Sequence, residues 1–89
     1  MNKRLYDQQY KAWIKQIFTR DKFKCQWPEC KKQKGKLNAH HIKKWADYPG
    51  LRLHPNNGIT LCKYHHDLIK SNEENYEMMF FKIIANKNE

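Results

Sequence analysis

The chain has 89 residues, 39% apolar and 30% charged, which predicts one small domain over 1–89 with a modest core. Its 18 Lys and Arg against 9 Asp and Glu leave a formal net charge of +9, beyond the roughly 2 to 8 that keeps a small domain soluble, so a polyanionic partner is expected, nucleic acid ahead of a membrane surface. The three cysteines are an odd number, and the polar, charged segment 1–13 has no continuous apolar run; a disulfide framework, a signal peptide and a membrane span are therefore not expected, and an intracellular protein with metal-binding thiols is.

From Tyr6 to about Arg20, Tyr6, Tyr10, Trp13, Ile14, Ile17 and Phe18 recur at helical spacing, with Lys11, Lys15 and Gln16 opposite, which predicts an amphipathic helix whose aromatics pack in the core. Asp21 to Lys36 has no sustained period and carries Trp27-Pro28, Gly35 and many lysines, so it reads as a knuckle-like loop. Leu37 to Ile42 and Ile59 to Leu61 are short strands that can pair as a hairpin across a long turn-rich loop, Lys43 to Asn57. Cys62 to Lys70 and Glu73 to Ala85 follow as helices, the last expected to pack Met78, Met79, Phe80, Phe81, Ile83 and Ile84 on the rest.

Within this order Cys25-x4-Cys30 and Cys62-x2-His65 are two close ligand pairs, and thiolates with an imidazole suit tetrahedral Zn²⁺. A structural Cys3His zinc site is expected, tying the knuckle to the start of the helix at Cys62. In a domain this short it can decide folding, since structural zinc is worth about 10 to 16 kcal/mol in small peptides. The two-Cys, two-His ββα finger is rejected, because His40 and His41 come too early and are adjacent. Successive strand residues point to opposite faces, so one of this pair can bind a metal while the other acts as a base.

The segments Ala39-His-His-Ile-Lys-Lys-Trp45 and Asn56-Asn-Gly-Ile-Thr-Leu-Cys-Lys-Tyr-His-His-Asp-Leu-Ile-Lys70 resemble the HNH endonuclease family over about residues 25–70. The resemblance implies an α+β fold, a small ββα-metal domain flanked here by an N-terminal helix, a zinc knuckle and a C-terminal helix. It implies a metal-dependent DNA endonuclease of phage or mobile-element type. In that reading His40 and His66 hold the catalytic divalent ion, His41 is the general base, and Asn57 braces the loop between the strands. The ion is expected to be Mg²⁺ or Mn²⁺, although imidazole also accepts Ni²⁺, Co²⁺ or Zn²⁺. The knuckle departs from the common Cys-x2-Cys-His by having Cys62-x2-His65-His66, which leaves open which histidine serves which metal.

Lys43, Lys44 and Arg52, in the loop near this site, are expected to contact DNA phosphates, with Lys31, Lys32, Lys34 and Lys36 crowding the knuckle. Double-stranded DNA with little sequence preference is the expected substrate, and His54 is expected at the surface. The alternative is a zinc-stabilised nucleic-acid-binding module without cleavage. Monomer and homodimer both remain open.

Overall fold

A computed structural model describes residues 3–31 and 35–87, leaving the side chains of Lys3 and Arg4 undescribed, and Lys32 and Lys34 of the knuckle lie outside the described residues. The fold is α+β: helix α1 (Lys3–Arg20), strand β1 (Leu37–His41), strand β2 (Gly58–Cys62), helix α2 (Lys63–Leu68) and helix α3 (Glu77–Lys87). Short 3-10 turns at Pro49–Leu51, Pro55–Asn57 and Glu73–Tyr76 punctuate the connections. No helix among the described residues is long and apolar enough to cross a membrane.

The two strands form an antiparallel hairpin in which Leu37 pairs with Cys62, Ala39 with Thr60, His40 with Ile59 and His41 with Gly58. Side chains alternate across a strand, so His41, Ala39 and Leu37 share one face with Gly58, Thr60 and Cys62. His40 and Asn38 share the other with Ile59 and Leu61. Every residue of β2 is buried, because the hairpin is covered on both sides. Trp13 and Ile17 of α1 press against Gly58 on the first face, while Ile59 and Leu61 belong to a core with Ile42, Ile69, Phe80 and Ile84.

Helix α1 runs one turn earlier than its apolar spacing shows, and it stops through side-chain and backbone contacts that periodicity does not encode. The Lys22 amide donates to the Thr19 carbonyl and the Phe23 amide to the Phe18 carbonyl, with Lys22 in the left-handed region at φ 56°. That is a Schellman termination, and the Phe18 and Phe23 rings, 6.0 Å apart, supply its usual apolar contact. Just beyond it Arg20 and the buried Asp21 fasten the helix to the hairpin. Arg20 donates to the carbonyls of Pro55 (2.9 Å) and Gly58 (2.7 Å) and to the Asp21 carboxylate, which accepts the Thr60 amide at 2.9 Å.

The C-terminal stretch departs from expectation in two ways. It starts as a 3-10 turn before becoming α3 at Glu77, and Met78 is 74% exposed instead of packed. Phe80 and Ile84, four residues apart and so on one side of the helix, are the buried pair; Met78 falls outside that stripe.

Candidate metal centre and histidine site

Cys25, Cys30, Cys62 and His65 converge so that their ligand atoms all lie within 4.8 Å of one another. Among the described residues this is the one such group of three or more metal-ligating side chains. Its edges are 3.3 Å from Cys62 Sγ to His65 Nδ1, 3.6 Å from Cys25 Sγ to the same nitrogen, and 3.9 Å from Cys30 Sγ to Cys62 Sγ. With Zn–S near 2.3 Å and Zn–N near 2.1 Å, a tetrahedral ion requires edges of about 3.5 to 3.8 Å, so the four residues fit structural zinc with little adjustment. Cys62 is the residue just before α2, and His65 is buried with its ring stacked on Trp27, centroids 4.6 Å apart and planes within 7°. Knuckle and helix are thereby oriented towards the same point.

The electrostatics favour a cation there. Burial pushes the Cys25 thiol up to about 12, so a bare thiolate in that position is costly. Burial also opposes ionisation of Cys62, but hydrogen bonds from the His65 backbone and from Cys25 and Cys30 outweigh it and lower its pKa. Burial lowers the His65 pKa, which keeps its imidazole neutral and able to donate a lone pair. The group could hold a structural metal ion such as zinc, and the choice between His65 and His66 in the knuckle falls on His65.

His66, the next residue on α2, turns instead towards β1. Its ring lies 5.8 Å from that of His40 at 72°, and the His40 ring is flanked by Phe80 at 5.6 Å. His40 is buried, and its Nε2 has no hydrogen-bond partner. Burial first, then the neighbouring His66, lowers the His40 pKa to about 4, with Glu73 pulling the other way. Its ring is therefore neutral near pH 7. A buried ring nitrogen without a partner is a costly thing for a fold to retain.

His41 is held quite differently, on the opposite face of β1. Its Nε2 lies 2.9 Å from the Arg52 carbonyl, which can only accept, so Nε2 carries the proton and Nδ1 keeps the lone pair. Burial lowers its pKa, partly offset by that same carbonyl bond. The ring stacks on Trp13 with centroids 4.1 Å apart and planes within 11°, and Trp45 meets it edge-on at 5.2 Å.

Asn57 closes the base of the loop that carries Arg52. Buried, it accepts the Lys43 amide on Oδ1 (2.7 Å) and donates from Nδ2 to the carbonyls of Lys43 (3.2 Å) and Leu51 (3.1 Å). The Leu51 bond falls one residue before the carbonyl that holds His41. His54 is exposed, and its Nδ1 accepts the Asn56 amide.

The three loop cations all have protein partners. Lys43 Nζ is 2.7 Å from Glu77, Lys44 Nζ is 3.6 Å from Glu74, and Arg52 donates from Nε to the Trp45 carbonyl while lying over the Trp45 ring. The acidic partners come from the 3-10 turn and α3, beyond the span in which loop composition alone can be read. The contacts that spacing did not reveal are the stack of Trp13 on His41 and the Arg20–Asp21 fastening; a Trp at a helical core position carries no sign that it faces a histidine 28 residues on. Comparison with family models, characterised proteins and solved structures returns no match.

Proposed function

We propose that this chain is a metal-dependent endonuclease of the HNH type, a ββα-metal domain that hydrolyses phosphodiester bonds of double-stranded DNA. One observation carries the reading: the adjacent histidines have complementary states. His41 has spent Nε2 on the Arg52 carbonyl and keeps Nδ1 as its basic nitrogen, while His40 keeps a buried, unpartnered Nε2 beside His66. A binding module has no need of either state.

His40 and His66 are the residues that would hold a divalent ion. Two imidazoles sharing one ion have centroids roughly 5 Å apart, so their 5.8 Å separation asks for only a small closure. When bound, Mg²⁺ or Mn²⁺, with Ni²⁺, Co²⁺ or Zn²⁺ as other ions that imidazole accepts, supplies polarisation of the phosphate and stabilisation of the departing oxygen. His41 takes a proton from water at Nδ1 as the water oxygen attacks phosphorus, the P–O3′ bond breaks with O3′ taking a proton from solvent water, and 5′-phosphate and 3′-hydroxyl ends result. The Arg52 carbonyl fixes the tautomer this requires, and Asn57 holds the loop that presents it.

Access for the backbone is supported by an open cleft of about 440 Å³ between α1 and β1, which His66 lines together with Tyr10, Lys36 and Asn38 and no carboxylate. Lys44, in an exposed pair worth no more than about 1 kcal/mol, can exchange Glu74 for a phosphate.

The test is cleavage of supercoiled plasmid by zinc-loaded protein with Mg²⁺, Mn²⁺ or Ni²⁺ added or omitted, alongside a folded His41→Ala variant. Ion-dependent nicking that falls by at least about 10²-fold in the variant is expected. Folded protein that binds DNA and leaves it intact with every ion would replace this reading with a zinc-stabilised binding module.

A further inference from the structure

We propose that Trp13, in the helix outside the hairpin and knuckle, is a positioning residue for the His41 base, so that α1 is part of the hydrolytic apparatus; the inference rests on the endonuclease reading above. An imidazole that must take a proton at one nitrogen has two orientations to control: rotation within its own plane and tilt of that plane. The Nε2 bond to the Arg52 carbonyl controls the first. It does little for the second, because a broad range of ring tilts keeps a single hydrogen bond at a carbonyl oxygen. Trp13 supplies the missing constraint, with its indole parallel to the imidazole within 11° at 4.1 Å.

The indole can do this because it is itself immobile. Trp13 is 2% exposed, and its Nε1 donates to the His54 carbonyl at 2.9 Å. It lies directly over Gly58, where a Cβ would collide with its Cζ2, and Gly58 is the cross-strand partner of His41. A strand residue with a side chain at 58 would fill the space through which the indole reaches the imidazole. Tyr10 of the same helix lies beside the pair, nearly parallel to both rings, 6.0 Å from Trp13 and 6.2 Å from His41. The anchor on His54 and the hold on His41 through Arg52 both come from the loop braced by Asn57, so indole and imidazole are registered to the same segment.

The test combines kinetics with a structural signal independent of cleavage. A His ring stacked beneath an indole has its carbon-bound protons displaced upfield by the ring current, so ¹H–¹³C spectra of the zinc-loaded protein should show His41 most displaced in the wild type, less so in Trp13→Phe, and least in Trp13→Leu, where only Tyr10 and Trp45 remain beside it. In plasmid nicking, Trp13→Leu should lose about 10²-fold in kcat with KM within about threefold, the scale expected when a reacting group is misplaced by about an ångström. Trp13→Phe should recover most of the loss. Ile17→Val, altering another buried α1 side chain that faces Gly58 but stacks on no histidine, should keep wild-type kcat while folded. Trp13→Leu with unchanged kcat, or Ile17→Val losing as much as Trp13→Leu, would overturn the positioning role. A wild-type His41 without the upfield displacement overturns it even if the protein cuts DNA. The displacement without cleavage under any ion sinks the endonuclease reading itself, and the catalytic part of this proposal with it.

Discussion

At the scale of single residues, Gly58 shows how a familiar pattern can be present for an unfamiliar reason. Asn57-Gly58 has the composition of a turn, and a turn glycine is usually there for positive φ. Here Gly58 has φ −137° and ψ 148°, an extended conformation open to any residue. What matters is the missing Cβ, which would collide with Trp13 and come within 2.7 and 2.8 Å of Ile17 side-chain atoms. Gly58→Ala should therefore lower stability by about 1 to 3 kcal/mol, the range for overpacking a tight core, and a thermal or urea melt reads it directly. An unchanged melt would mean that α1 can back away from the hairpin at little cost. The sequence shows that a glycine follows Asn57 but not why, because the residues that lean on it, Trp13 and Ile17, are 45 and 41 residues earlier. The ligand pairs Cys25–Cys30 and Cys62–His65 are the opposite case: they are five and three residues apart, so local spacing alone foretold the metal group that the fold assembles.

At the scale of elements, the helices were legible where an apolar stripe repeats and less so at their ends. The end of α1 is the clearest example, since Lys22 occupies the left-handed position of a Schellman motif that glycine fills most easily. A side chain there costs roughly 1 to 2 kcal/mol, and a glycine gives back part of that through its greater freedom in the unfolded chain. Lys22 is exposed, and the hydrogen bond that its backbone amide donates to the Thr19 carbonyl does not involve the side chain. Lys22→Gly should raise stability by about 0.5 to 1 kcal/mol, seen as a higher melting temperature with unchanged helical signal by circular dichroism; a lower melting temperature would mean that the lysine makes a compensating contact. The hairpin and the α+β class were readable because alternation and turn residues are local. The acidic partners of Lys43 and Lys44 were not, since they depend on where α3 docks.

At the scale of the whole molecule, the metal group joins residues 25–30 to 62–65 and so brackets the hairpin. The described core has about ten buried apolar side chains, and α1 contributes only Trp13 and Ile17 of them. With structural zinc worth about 10 to 16 kcal/mol in small peptides and whole domains stable by only about 5 to 15, removing the ion should unfold the chain and not merely soften it. Metal analysis should find one zinc per chain, and a strong chelator should abolish the melting transition, restored by adding zinc back. A cooperative melt that survives complete zinc removal would show that the thiols are ordinary core residues. The loop between the strands has a further consequence, for how the chain tolerates change in length. Because Asn57 clips Lys43 to Leu51, the segment from Lys44 to Gly50 closes on a fixed base, and its exposed tip at Ala46 and Asp47 can lengthen without drawing that base apart. Doubling such a loop adds only about 0.6 kcal/mol of closure entropy, so new segments could be spliced in there while the histidines stay in register.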